Sequence, residues 1–270
     1  GQYVADLTLE DFRIVEDGAA QRITRFTTER RPLRIGIVLD TSLTMEGRKL
    51  ENAKKAALEF LDILEPGDEG MVVAFNDQVR ILQEITAERG SMAQAIGSVE
   101  SRGGTALYDA VWRTAKKLEE FDGRRVMVLL SDGRDEAANG FEPGSLHTLE
   151  EALTQALRSE VMLFAIGLGR NLDERLDFTR RFTLEAILER LAAETGGRAL
   201  FTPGAGRLRR AFSDVADDLR NQYSIAYKST NEARDGKWRR VRVDTPGRDL
   251  EITCRKGYFA SSEDEPPAAP

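Results

Sequence analysis

The chain has little of the two residues that most often hold zinc or close disulfides, with one cysteine and one histidine among 270 residues. Because Cys254 has no second cysteine to pair with, an intrachain disulfide and a thiolate zinc site are both excluded. His147 has no partner at metal-ligand spacing, and we interpret it as a loop residue close to a helix start. No serine lies in a G-x-S-x-G pattern, so the sequence carries no nucleophile-elbow signal for catalysis.

Long apolar runs and concentrated basic charge are missing as well. No stretch approaches the ~20 apolar residues that a membrane helix needs, so we expect no direct membrane insertion by this segment. The formal net charge is −7 with a pI near 5.1, and the basic pairs are short and scattered. Since duplex binding depends on clustered lysine and arginine, this argues against nucleic acid as a partner. Hydrophobic residues make up 41% and charged residues 31%, which is typical of a globular protein with a sizeable core.

The middle of the chain alternates between apolar runs and helical patterns. Near-continuous apolar runs predict parallel strands that are covered on both faces, and Pro/Gly punctuation and 3.6-residue spacing predict the helices between them. Asn76 and Asp77 predict a turn into one antiparallel strand. The predicted fold class is α/β, a doubly wound and mostly parallel sheet with helices on both sides. The predicted buried strands are residues 34–39, 71–75, 125–130 and 161–166.

Both ends of the chain have a different pattern, with short alternating strands bounded by turn residues. Because an isolated hairpin is only marginally stable, we expect the two ends to pair into one small antiparallel β lobe. A strand over residues 250–254 is part of that expectation. The predicted organisation is a β segment at 1–31, a central domain at 33–221, the rest of the lobe at 222–260, and a disordered tail at 261–270.

Three separated segments carry oxygen-rich side chains: Asp40-Thr41-Ser42-Leu43-Thr44, Gly103-Gly104-Thr105 and Ser131-Asp132-Gly133. The first and third each follow a predicted buried strand, and ligands of open parallel sheets bind beyond the carboxyl ends of the strands. Two carboxylates and three hydroxyls suit a small hard cation, which prefers oxygen donors and can keep a position open for an outside ligand. The predicted metal ligands are Asp40, Ser42, Thr44, Thr105 and Asp132.

This series of motifs resembles the von Willebrand factor A domain with its metal-ion-dependent adhesion site, over roughly residues 33–221. Thr44 stands where that family often has a second serine, and it keeps the hydroxyl. The resemblance implies that Ser42, Thr44 and Thr105 coordinate the ion directly or nearly so. It implies that Asp40 and Asp132 often act through waters.

The same resemblance implies magnesium or manganese as the cofactor, with calcium as a further candidate, and a protein partner that contributes an Asp or Glu side chain. The two ends of the chain are similar to those of a bacterial group of secreted or envelope-associated proteins. We therefore expect an extracellular, cell-envelope or periplasmic location. Gly1 does not open a signal peptide, and we expect the sequence to be trimmed from a longer one.

Two long, charged loops, 134–148 and 169–183, would form the rim of the site, and loops on a rigid scaffold often carry binding specificity. Solvated linkers are the alternative reading of both loops. Asp109 lies at a helix start, and we expect it to stabilise the helix through the helix dipole rather than to bind the metal ion. The predicted partner contacts are Arg134, Phe141, Arg170 and Phe178.

The leading functional hypothesis is a cation-dependent protein-interaction module of the adhesion type, without enzymatic activity. One alternative is a structural subunit whose metal site is regulatory or vestigial. A metal-assisted phosphoryl hydrolase is less favoured, because such enzymes commonly need a second carboxylate two residues after the nucleophile, where this chain has Ser42.

Overall fold

The computed structural model describes residues 4, 6–29, 31–139, 142–169, 172, 183–203 and 205–262. Its strands are β1 (Arg13–Glu16), β2 (Ala19–Gln21), β3 (Ile23–Thr27), β4 (Leu33–Asp40), β5 (Glu69–Phe75), β6 (Val79–Thr86), β7 (Arg124–Ser131), β8 (Met162–Leu168), β9 (Ala199–Thr202), β10 (Ser224–Tyr227), β11 (Trp238–Asp244) and β12 (Gly257–Phe259). Its α-helices are α1 (Arg48–Leu61), α2 (Arg89–Gly97), α3 (Leu107–Leu118), α4 (Leu149–Arg158), α5 (Leu184–Thr195) and α6 (Ala205–Arg220).

The central sheet has six strands in the order β6-β5-β4-β7-β8-β9. All neighbouring pairs are parallel except β5 with β6, which is antiparallel as the sequence predicts. Strand β4 lies in the middle, and seven of its eight residues are buried. This burial explains its continuous apolar sequence, because both of its faces are covered. The predicted fold class is therefore confirmed.

Helices cover both faces of this sheet. One core contains the apolar faces of α1, α2 and α6, and the other contains those of α3, α4 and α5. In the first core, the rings of Phe60 and Phe212 lie 5.5 Å apart and join α1 to α6. Fully burying an aromatic side chain of this size contributes roughly 1.5–3 kcal/mol. No helix in the described ranges is both long and apolar enough to cross a bilayer.

The two ends of the chain pair with each other in two small antiparallel sheets. One sheet has the order β12-β11-β1-β2, and the other pairs β10 with β3. The β1–β2 turn uses Asp17 and Gly18, both with positive φ, as a tight hairpin requires. Glu16, at the end of β1, is 2% exposed and accepts hydrogen bonds from three hydroxyls. The donors belong to Tyr227, Ser229 and Tyr258, so one buried carboxylate ties several segments of the lobe together.

One predicted strand is wrong. Residues 250–254 form no strand, and β12 begins only at Gly257. The end of the segment lies close to the end of α5 instead, since a Cβ added at Gly196 would be 2.8 Å from the carbonyl carbon of Cys254. Just after it, the Lys256 amide donates to the carbonyl of Glu194 at 3.3 Å. An alternating pattern predicts an extended chain, and it does not identify the neighbour to which that chain donates its hydrogen bonds.

Candidate metal centre

The first part of the candidate centre lies at the carboxyl ends of two neighbouring strands, β4 and β7. Asp40, the last residue of β4, is fully buried. Its Oδ1 accepts from the Ser42 amide at 2.9 Å, and its Oδ2 accepts from the Ser131 hydroxyl at 2.5 Å. Burial raises the pKa of Asp40 to about 6, and the hydrogen bonds from Ser131 and Ser42 oppose that rise. Asp40 is thus a fixed carboxylate at the base of the site.

The second part is a chain of hydroxyls that links the first motif to the third. The Oγ atom of Ser42 lies 2.9 Å from Oγ1 of Thr44. Thr44 donates in turn to Oδ1 of Asp132 at 2.7 Å, across 88 residues of sequence. The Asp132 side chain is 0% exposed, and its second oxygen accepts from the Lys49 ammonium group. The two motifs therefore meet directly through their polar side chains.

Thr105 reaches the same place from a separate loop. It is 4% exposed, and its position can be judged from Gly133, which faces it. A Cβ added at Gly133 would lie 3.0 Å from the Thr105 hydroxyl and 3.4 Å from the Thr44 hydroxyl. Both hydroxyls thus flank one point next to Asp132. The structure brings all five predicted residues to one edge of the sheet.

The loop that carries Thr105 is held by a carboxylate that sequence reasoning assigned only to a turn. Asp77, between β5 and β6, accepts from the Gly104 amide at 2.6 Å. Gly103 has a φ of +69°, and an added Cβ there would lie 1.9 Å from Asp77. Thr105 also exchanges two backbone hydrogen bonds with Glu136, at 2.8 and 3.0 Å. The glycine pair is therefore required for both a left-handed turn and a close approach.

Two further carboxylates fasten the loop after β7 to the start of α3: Asp135, which the sequence did not predict in any role, and Asp109, which it predicts only at a helix start. Asp135 accepts from the amides of Tyr108, Gly144 and Ser145 at 3.0–3.2 Å, and burial raises its pKa. Asp109 accepts from the amides of Leu146 and His147 at 3.0 and 2.9 Å.

Asp109 supports loop structure and not only the helix start that the sequence predicts. Burial works against its ionisation, but these hydrogen bonds prevail and lower the pKa of Asp109. His147 lies in this loop, next to the start of α4, and its ring stacks on Trp112 at 4.3 Å.

Exposed apolar side chains lie in the first motif and in the loop 134–148 that the sequence predicts as the rim. Leu43 lies between two predicted ligands and is 54% exposed, and Leu146 is 95% exposed. Arg134 follows Gly133, and its Nη1 is buried without a hydrogen-bond partner among the residues that the structure describes. The other predicted contacts, Phe141, Arg170 and Phe178, lie outside the described residues.

The donor set fits a hard divalent cation. It offers carboxylate and hydroxyl oxygens with no nitrogen or sulfur donor, which is what magnesium and manganese prefer. Within the described ranges no group of three or more His, Cys, Asp or Glu side chains could hold a metal. A cation at this edge would therefore depend on hydroxyls as much as on carboxylates. Its two carboxylates match the charge of a divalent ion, and such an ion can keep a further coordination position open toward solvent.

Comparison with known proteins places this geometry in a known fold. Residues 35–134 match the family model for the von Willebrand factor type A domain. A von Willebrand factor type A structure from Catenulispora acidiphila superposes with a TM-score of 0.58 at 19% identity, over 77% of this chain and 46% of that one. The central domain has the von Willebrand factor A fold. The residues that match the family model include all five polar residues of the candidate centre, and we call the central domain the A domain after this fold.

Two other relatives give context for the A domain. Bovine inter-alpha-trypsin inhibitor heavy chain H4 is 24% identical over 215 residues, which are 73% of this chain and 22% of that heavy chain. This chain therefore spans less than a quarter of that relative's length. Proximal thread matrix protein 1 from the mussel byssus, in a structure with a zinc-occupied MIDAS motif, superposes with a TM-score of 0.57 at 20% identity over 75% of this chain and 49% of that one.

Proposed function

We propose that the A domain is a divalent-cation-dependent protein-interaction module, in which the bound ion accepts an acidic side chain from a partner. The observation that carries the proposal is the convergence of three motifs at one edge of the sheet. The 2.7 Å hydrogen bond from Thr44 to Asp132 connects the first motif to the third. Ser42, Thr44 and Thr105 would hold the ion directly, and Asp40 and Asp132 would balance its charge. Magnesium or manganese is the proposed ion, with calcium as a further candidate.

Burial supports an adhesive role for this ion. Asp40 and Asp132 have fully buried side chains, so neither side chain can move out of the site when a partner binds. The ion would therefore be fixed to the rigid end of the sheet, and its remaining coordination position would face outward. An incoming carboxylate is a charged oxygen ligand of the kind that such an ion prefers.

The partner would also contact the rim around the ion. Leu43 is exposed between two proposed ligands, and we propose that it contacts the partner. Arg134, Phe141, Arg170 and Phe178 are the charged and aromatic rim residues that we propose as further contacts. We also propose an extracellular or cell-envelope location, as in the bacterial proteins that the two ends of the chain resemble.

Ion binding is tested with a substitution that removes one hydroxyl and little else. In a chelator-stripped sample, magnesium and manganese should bind with a 1:1 stoichiometry by calorimetry and raise the melting temperature. Thr105→Val should weaken that binding at least tenfold. Thr114→Val is the matched control, because Thr114 lies on α3, is 1% exposed, and its hydroxyl has no hydrogen-bond partner within the described part of the chain. If the wild-type protein binds neither ion, the proposal is wrong.

Partner recognition is tested with a displayed library of peptides that contain Asp or Glu. Peptides selected in the presence of magnesium should be released by a chelator, and the matched Asn or Gln peptides should not bind. If binding ignores both the chelator and the acid-to-amide change, the ion has no adhesive role. The site would then be regulatory or vestigial.

A further inference from the structure

The ammonium group of Lys49 is a positive charge, supplied by the chain itself, that contacts the candidate centre. Lys49 lies in the first turn of α1, and its ammonium group donates to Asp132 and, at 3.0 Å, to the carbonyl oxygen of Thr44. The Asp132 side chain is fully buried, whereas the Lys49 side chain is 49% exposed. The ammonium group of Lys49 therefore lies between the buried Asp132 carboxylate and solvent.

This pair has an electrostatic reason. A buried carboxylate without a cationic partner is costly, and the Thr44 hydroxyl satisfies only one oxygen of Asp132. Lys49 covers the second oxygen. A divalent ion that draws on Asp132 must displace this ammonium group or lie close beside it, and two positive charges within a few ångströms repel each other.

We propose that Lys49 is a tethered counter-cation that sets how tightly the centre holds its divalent ion and how strongly the loaded centre attracts an acid. The proposal rests on the function proposed above. At neutral pH the two carboxylates and one ammonium group leave one negative charge, and a divalent ion changes this to one positive charge. Lys49 therefore weakens ion binding but makes the loaded rim cationic, which favours an acidic partner.

The test compares Lys49→Met with Lys54→Met. Both changes remove one positive charge from α1, but Lys54 pairs with Glu51 at 3.1 Å instead of with the centre. Without metal, Lys49→Met should melt at a lower temperature than Lys54→Met, because Asp132 loses its cation. Magnesium should bind Lys49→Met about tenfold more tightly than wild type by calorimetry, a ratio that corresponds to about 1.4 kcal/mol. Lys54→Met should bind magnesium like wild type.

Two more variants separate charge from hydrogen bonding and guard against misfolding. Lys49→Gln keeps a donor but removes the charge, so it should gain ion affinity as Lys49→Met does. Lys49→Arg keeps the charge and should bind magnesium with an affinity within about threefold of wild type. If Lys49→Met and Lys49→Gln bind magnesium no more tightly than wild type, the counter-cation proposal is wrong while the metal centre stands. If wild type binds no ion, the metal centre itself fails.

Discussion

Gly104 offers a sharp test of the loop that delivers Thr105. A Cβ at this position would lie 2.6 Å from the Ala138 amide nitrogen and 2.6 Å from the Glu136 carbonyl oxygen. Ordinary contacts begin at 3.4 Å, so the two backbones must separate by about 0.8 Å. Overpacking of this kind costs roughly 1–3 kcal/mol, and each strained Thr105–Glu136 hydrogen bond adds about 1 kcal/mol. With two such bonds, we expect Gly104→Ala to lose about 3–5 kcal/mol of stability.

Gly90→Ala is the matched control for that change. Gly90 lies in α2, and an added Cβ meets nothing within 4 Å. Alanine is favoured over glycine in a helix, so this variant should gain up to about 1 kcal/mol. Urea unfolding of both variants, followed by magnesium calorimetry, gives the comparison. The reasoning is refuted if Gly104→Ala matches wild type in both stability and ion affinity.

Two predictions concern groups away from the centre. Burial raises the pKa of Asp218 to about 6, although the Arg198 guanidinium lies 3.0 Å from its carboxylate. Between roughly pH 4 and pH 6 the folded chain therefore holds a proton on Asp218 that the unfolded chain has released. The stability that this proton contributes is present below pH 4 and is lost as the pH rises through 6. In urea unfolding, Asp218→Asn should reduce the dependence of the unfolding free energy on pH in this range, and it should be more stable than wild type by about 1–2 kcal/mol at pH 7. Glu16→Gln should cost about 1–3 kcal/mol, because one amide oxygen replaces a carboxylate that accepts from three hydroxyls. Hydrogen exchange should then be faster in β11 and β12 and unchanged in β4; equal rates in all strands would contradict this account.

The central sheet was predictable because its strands are buried on both faces. That burial requires continuous apolar sequence in β4, β5, β7 and β8, and such runs are visible without any knowledge of the neighbours. The meeting of Asp40 and Asp132 followed from the same argument, because parallel strands end at one edge, whereas Thr105 comes from a separate loop. A local pattern was therefore sufficient wherever the fold repeats a regular unit.

The supporting residues were not predictable in this way. Asp77 reaches a loop 27 residues further along the chain, and Lys49 reaches Asp132 across 83 residues. Neither distance corresponds to a helical or strand period, and a charged residue in a loop or at a helix start is usually only solvated. Their roles depend on how irregular loops pack together, which no periodicity describes. The missing strand at 250–254 has the same origin, since pairing depends on a distant neighbour.

The pairing of the two ends has a consequence for the order of folding. Arg13 pairs with Asp244, and the side chains of this pair join residues 231 positions apart in the chain. Contacts with so large a separation form late, because the loop between them must first be closed. On a ribosome β1 would wait until β11 has been synthesised, while the A domain can already fold behind it. The lobe would then be the last piece to close, and the first strands would pass through synthesis unpaired.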